Sequence, residues 1–331
     1  MASPLITLEH VSRSFTVKRQ SITAVNNVSL SIQPGEIVCL VGESGCGKTT
    51  TGKLIAGLIA PTSGTILFQG EDITRLDRDQ YRQYRLGVQL IHQDPYVSLN
   101  PTHTIYDTLA TPLRHHRLTR GRAQTRQRVR ELLECVDLTP ADDVLDTYPH
   151  QLSGGQRQRV AIARALTVNP AFIIADEAVS MVDVSIRMSL LKTLTRLKDR
   201  MGLGMLFITH DLALAKYFAW EGRIGVMYLG RLIELAPTPL LIERPQHPYT
   251  QALLGAIPEA DPDATRRKPQ IALRSMDVPS LLHTPPGCPF HPRCPRFEGQ
   301  HCATSVPELM SLPNGAAVAC HPVQREQAAL H

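Results

Sequence analysis

Apolar residues along this chain recur in two rhythms. Ile37 to Val41 is an unbroken apolar run, flanked by glycines and too short for a helix, so it predicts a buried strand feeding a glycine-rich turn and then a helix. "AFIIADE" and "GMLFITHD" repeat that strand pattern downstream. Between them, Ile186, Leu190, Leu191, Leu194 and Leu197 share one face of a helix that should stop near Gly202. Earlier, Val129, Leu132, Leu133 and Val136 mark another helix whose basic residues face away, with Cys135 expected to pack inside it rather than react. Short strands apolar on both faces, alternating with helices, predict an α/β fold with a mostly parallel sheet covered by helices. After about Leu235 the rhythm breaks and prolines recur, which predicts a linker and then an irregular C-terminal unit.

At 331 residues the chain has room for one large domain and an appendage. Its 43% hydrophobic and 20% charged content is that of a globular protein and excludes disordered and collagen-like classes. No apolar run approaches the roughly 18 to 20 residues that cross a bilayer, and the opening residues lack a secretory pattern, so a cytoplasmic protein is expected. The net charge of +5 is mild, and the basic residues gathered from Arg114 to Arg130 read as a solvated helix face. Nucleic acid is therefore not an expected partner.

"GESGCGKT", Gly42 to Thr49, sits where that strand turns into that helix and satisfies the phosphate-loop pattern. Glycines at 42, 45 and 47 let backbone N–H groups turn inward around phosphates, with Ser44 and Cys46 at free positions of the loop. Lys48 should reach the β and γ phosphates of ATP, Thr49 should ligate Mg2+, and Thr50 continues the helix start. The helix N-terminus could lower the Cys46 thiol pKa and make it oxidisable, but the preferred reading is that only its backbone matters. "FIIADE" supplies the other half of an NTPase site: Asp176 for Mg2+ and Glu177 to orient and polarise the attacking water.

"LSGGQRQRVAIARAL", Leu152 to Leu166, precedes those acids, and here the chain resembles an ATP-binding cassette ATPase. The resemblance implies a P-loop NTPase with a RecA-like core of mostly parallel sheet, an antiparallel β subdomain and a helical signature subdomain. It implies that Ser153, Gly154, Gly155 and Gln156 bind the γ-phosphate held by a partner subunit. Gln93 in "IHQDP" matches the glutamine that senses Mg2+ and the attacking water, and His210 in "ITHD" matches the switch histidine. Phe15 falls where the family places a ring against adenine, and Asp183 falls in the loop along the dimer interface. The wording "DEAVSMVD" departs from the commoner pattern, with Ala178 in place of proline and Met181 and Val182 in place of alanine and leucine. Both acids survive that change.

The resemblance covers roughly 5–255 as a nucleotide-binding domain, with its helical subdomain at about 96–165, and leaves 256–331 as an extension. "QDPYVSLNP" and "HPYTQALL" are similar to the subgroup that energises uptake of di- and oligopeptides, and in some members oligosaccharides or nickel. The implied partners are a second, related ATPase chain, two transmembrane permeases and an extracytoplasmic substrate-binding protein, which would hold this subunit at the cytoplasmic face of the membrane. Soluble cassette ATPases of DNA repair or translation carry coiled-coil insertions or two nucleotide domains, and the sequence has no sustained heptads and no second phosphate loop.

Four of the seven cysteines, Cys288, Cys294, Cys302 and Cys320, lie in a proline-rich stretch too poor in large apolar residues to build its own core. Such a unit needs a staple, and a cytosolic address favours a metal over disulfides. Four thiolates suit zinc or an iron–sulfur cluster, with His291, His301 and His321 as nearby substitutes. "GCPFHPRCP" resembles the C-terminal extension of peptide-importer ATPases, some of which hold a [4Fe-4S] cluster on four cysteines. That resemblance implies a [4Fe-4S] cluster here, with Zn2+ as the alternative, and since ATP hydrolysis needs no redox centre a structural role is expected.

Overall fold

The computed structural model describes residues 3–17, 19–257 and 271–329, and among them the strands form two sheets. β1 (Ile6–Val17) and β2 (Gln20–Ile32) pair antiparallel. After β3 (Ile37–Val41) leaves for the second sheet, β4 (Ser63–Phe68) and β5 (Glu71–Asp72) complete the first in the order β2-β1-β4-β5. The second sheet sets β6 (Val88–Ile91), β7 (Phe172–Asp176), β8 (Gly204–Ile208), β3 and β9 (Arg223–Tyr228) side by side, all parallel. β10 (Arg231–Pro237) then turns back antiparallel to β9.

Every residue of β3, β7 and β8 is buried, as a parallel sheet covered on both faces requires. Their side chains divide with the strand period of two. Cys39, Ile173 and Phe207 join an apolar cluster with the helical layer, where Val160, Leu190 and Leu194 lie. Leu40, Ile174 and Leu206 join a second cluster with Leu8, Val11 and Val28 of the antiparallel sheet. One sheet is thus the shared wall of two cores.

The expected helices form at Gly121–Cys135 and Val184–Met201, the latter ending at Gly202 in the left-handed region (φ 67°). The basic face of the first carries ion pairs, Arg130 to Asp142 at 2.8 Å and Arg126 to Asp146 at 3.3 Å.

The chain does not become irregular directly after Leu235, where the alternating pattern was expected to break down. Helices Thr238–Glu243 and Pro248–Gly255 follow, each with proline in its first turn, where the missing N–H breaks no helical hydrogen bond. The tail does not stand apart either. After β11 (Met310–Ser311), β12 (Ala317–Val318) pairs with β10, so the tail extends the main sheet. Phe290, Leu312, Val318 and Val323 belong to the same core cluster as the parallel strands. Residues 258–270 of the proline-rich stretch in which a linker was expected lie outside the described residues.

Candidate functional site

The phosphate loop leaves β3 under tight steric constraint. Gly42 has φ 149°, and a Cβ on it would lie 2.2 Å from the Met227 carbonyl oxygen of β9. Gly47 has φ 105°, and its Cβ would lie 2.2 Å from the Ala24 carbonyl oxygen of β2. Only glycine fits at either point. The helix Lys48–Ile55 that follows has no side-chain cap, so its first N–H groups remain available to an anion. Lys48 is 5% exposed and donates from Nζ to the carbonyls of Gly42 (2.7 Å) and Glu43 (3.0 Å). Ser44 and Gly45 form the exposed crest of the loop, and Thr50 is half-buried behind it.

At Cys46 the alternative of an oxidisable thiol finds no support. Its side chain is buried in the core under the loop, and that burial pushes the thiol pKa up, against the opposing pull of Lys48. It is a packing residue and not an activated thiol.

The catalytic candidates meet at the C-terminal ends of three adjacent parallel strands, the place where open α/β sheets bind ligands. Asp176 ends β7, is 7% exposed, and accepts a hydrogen bond from Thr49 Oγ1 at 3.0 Å. Burial raises its pKa, the Thr49 bond opposes that, and the Glu177 charge adds to the rise. A buried carboxylate and a hydroxyl at a phosphate loop are the oxygen donors that Mg2+ takes. Glu177 follows in the left-handed region (φ 47°), a conformation costly for a glutamate, pinned by its N–H to the Ile208 carbonyl of β8 at 2.9 Å. Gln93, two residues beyond β6, donates from Nε2 to Glu177 Oε2 at 3.0 Å. His210, two residues beyond β8, places Nδ1 3.3 Å from Glu177 Oε1.

The signature residues form a separate feature. Ser153 caps the helix Gly154–Leu166 in a reciprocal box: Ser153 N–H donates to Gln156 Oε1 at 2.9 Å, and Gln156 N–H donates to Ser153 Oγ at 3.3 Å. A Cβ at Gly155 would lie 2.7 Å from Ile186, whereas Gly154 faces open space. Asp183 stands at the N-terminus of Val184–Met201, in a loop braced by Arg187 on the Ser180 and Val182 carbonyls. Phe15 is half-buried beneath the Arg13 guanidinium, 4.7 Å from its centroid, and pairs with Ile22, two positions from the Ala24 that abuts the phosphate loop.

Cys288, Cys294, Cys302 and Cys320 are free, buried, and line one small enclosed cavity with His247, His291 and His321. Gly287 (φ 67°) lets its loop pass close to the helix Gly299–Thr304, since a Cβ there would lie 2.6 Å from the Cys302 carbonyl oxygen. The Cys288 N–H donates to that same carbonyl at 2.9 Å. Burial pushes Cys288 up to about 11 and Cys320 up to about 12, and neighbouring thiols add to both. Four thiolates around one cavity would need a group that supplies positive charge. Among the described residues, however, no three His, Cys, Asp or Glu side chains converge as a single metal ion requires.

Two residues that pattern reading passed over reach the phosphate loop from the far end of the chain. Tyr249 Oη accepts the Glu43 N–H at 3.2 Å, and Arg293 Nη1 donates to both Glu43 carboxylate oxygens, at 3.0 and 3.2 Å. Both lie inside quoted motifs, "HPYTQALL" and "GCPFHPRCP", but no spacing rule links either motif to the loop.

A family model described as ABC transporter matches residues 25–180, and one described as oligopeptide/dipeptide transporter, C-terminal region, matches residues 233–302. A probable peptide ABC transporter ATP-binding protein of Sinorhizobium fredii is 41% identical over 100% of this chain and 93% of its own length. A putative peptide import ATP-binding protein of Brucella ovis is 45% identical over 96% of this chain and 98% of its own. An oligopeptide transport ATP-binding protein of Bacillus subtilis is 46% identical over 81% and 87%. A solved ATP-binding cassette dimer, in a post-hydrolysis state with ADP and Pi, matches with TM-score 0.63 at 30% identity over 70% of this chain and 98% of that one.

Proposed function

The chain belongs to the ATP-binding subunits of ABC transporters of the oligopeptide/dipeptide type, and from that membership we propose how its residues divide the work. It is an ATPase and the motor subunit of a peptide importer, working with permeases and a substrate-binding protein. The relatives' names speak for peptides, and the alternatives of oligosaccharide, nickel, DNA repair or translation find no support among them.

The observation that carries the mechanism is the pairing of Thr49 with Asp176 beside a Glu177 carboxylate gripped by Gln93 and faced by His210. The loop N–H groups and Lys48 hold the β and γ phosphates. Thr49, Asp176 and Gln93 would hold Mg2+, which when bound offsets the phosphates' negative charge. Glu177 accepts a proton from the attacking water, with Gln93 fixing the direction of its carboxylate. His210 reports the γ-phosphate to β8, and Phe15 stacks on adenine. Ser153 to Gln156 of one subunit close over the phosphate held by another, and Asp183 lies along the seam between them.

The proposed division is a nucleotide-binding domain at 5–255, with a helical subdomain at about 96–165, and an extension at 256–331. Helices Ile105–His115, Gly121–Cys135 and Gly154–Leu166 support the subdomain. The mate is a related but different chain. Among the described residues no helix is long and apolar enough to cross a membrane, so attachment to the cytoplasmic face of the membrane would run through the permeases. The four cysteines would hold a structural [4Fe-4S] cluster. Their shared cavity supports this, and iron and acid-labile sulfide near four per chain in anaerobically purified protein would be the expected result. Zinc near one per chain would replace the cluster reading.

The function is tested by reconstituting the full transporter in vesicles and following ATP-driven uptake of a labelled oligopeptide. Uptake that requires Glu177 is expected. Uptake of a sugar or nickel but not of peptide would overturn the substrate class.

A further inference from the structure

We infer that Arg293 is a positioning residue for ATP binding, acting on the phosphate loop through Glu43. The inference rests on reading Gly42–Thr49 as the phosphate site. The loop motif leaves position 43 free, so nothing in the motif demands an acid there. An unpaired carboxylate one residue from Gly42 would repel the phosphates that the loop binds.

Glu43 is instead fixed on three sides. Its N–H donates to Tyr249 Oη at 3.2 Å, its carbonyl accepts Lys48 Nζ at 3.0 Å, and its carboxylate receives Arg293 Nη1 at 3.0 and 3.2 Å. The Arg293 side chain is 6% exposed and lies 5.8 Å from the ring centroids of both Tyr228 and Phe290. Its Nη1 also stands 3.4 Å from Tyr228 Oη, while its Nε is buried without a partner. Burying a guanidinium with one N–H unsatisfied costs stability. The fold accepts that cost where the charge meets the Glu43 carboxylate.

The tail supplies this arginine from a framed position. Arg293 immediately precedes Cys294, its N–H donates to the Phe290 carbonyl at 3.0 Å, and its carbonyl accepts the Arg274 N–H at 3.1 Å. The cysteine loop therefore sets where the guanidinium stands, and the guanidinium sets the posture of the Glu43 carboxylate. A contact between residues 250 positions apart makes the tail a structural part of the nucleotide site.

The test titrates a fluorescent ATP analogue into the full-length chain and separates KM from kcat for ATP hydrolysis. Arg293→Ala should weaken binding roughly tenfold, about 1.4 kcal/mol, with KM rising and kcat changed by less than about twofold. Arg293→Lys should recover most of the loss. Adding Glu43→Gln to Arg293→Ala should restore binding to within about twofold of Glu43→Gln alone, because the two residues act as one unit. Equal weakness of the single and double variants would assign Arg293 a merely structural role and overturn the inference, as would unchanged binding in Arg293→Ala. If Arg293→Ala fails to fold by circular dichroism, Arg293→Gln with and without Glu43→Gln poses the same question and is decided the same way. A wild-type chain that binds no ATP would instead overturn the reading of the site itself.

Discussion

Phe290→Ala should destabilise the nucleotide domain as well as the tail. The Phe290 ring is 0% exposed and stands edge-on to Tyr228 and Tyr249, each 5.3 Å away between centroids. Tyr228 ends β9, and Tyr249 lies in the helix Pro248–Gly255, so the ring joins the tail to two elements outside it. Removing the benzyl group forfeits about 2–3 kcal/mol of transfer free energy, and the two aromatic contacts add about 0.5–1 kcal/mol each. Together these give about 3–5 kcal/mol, the usual cost of such a truncation in a core that cannot collapse. The assay is urea unfolding followed by far-UV circular dichroism and by the fluorescence of Trp220, the chain's one tryptophan. Trp220 follows the helix Leu212–Phe218 and lies outside the tail. If tail and domain share one core, the Trp220 midpoint falls together with the dichroism midpoint. A Trp220 transition that stays in place while part of the dichroism signal melts early would refute the shared core.

Glu177→Gln should keep ATP binding and lower turnover by roughly 100-fold or more, measured as phosphate release, because the amide cannot take the proton from water. Turnover near wild type would require another base. Gly42→Ala should abolish tight binding of an ATP analogue, since its Cβ would sit 2.2 Å from the Met227 carbonyl oxygen. Normal affinity would show that the loop relaxes freely. Asp137→Asn should destabilise the fold by about 1 kcal/mol at pH 7, discounted for the exposure of this carboxylate. Burial alone would raise the Asp137 pKa, but hydrogen bonds from Thr193, Arg196 and Arg159 outweigh it and hold the group below the ordinary 3.8. Its contribution is therefore complete above about pH 4 and is lost as pH falls through the folded value. A urea-midpoint difference between the two proteins that persisted undiminished at pH 2 would contradict this.

The parts of the fold legible in the sequence were those where local pattern and global packing agree. β3, β7 and β8 are buried on both faces, so their apolar runs had no other satisfactory home. The helix Val184–Met201 carried its own stop at Gly202. The misreading after Leu235 came from treating proline as loop punctuation, when Pro239 and Pro248 stand in the first turns of helices, where they break no hydrogen bond. β12 was not legible at all. Two residues give no rhythm, and their strand conformation comes from the exposed edge of β10 that they cover.

The candidate site divides along the same line. Lys48, Thr49, Asp176 and Glu177 are readable because phosphate chemistry fixes their spacing from strand ends, and the strands could be read. Gln93 and His210 required the family resemblance, since a lone glutamine and a lone histidine carry no pattern of their own. At Cys46 the sequence left a reactive thiol as the lesser alternative, because a helix N-terminus favours a thiolate only where the sulfur is solvated, and here it faces the core. Arg293 and Tyr249 were beyond reach because their contact with Glu43 is made by folding alone, across 250 and 206 positions. Such contacts have consequences for how the chain can be divided. β12 lengthens the sheet that carries the phosphate loop, Phe290 fills its core, and Arg293 offsets a charge inside the loop. A chain truncated after Gly255 would keep every motif that identifies an ATP site, yet it would leave Glu43 unpaired and the β10 edge bare.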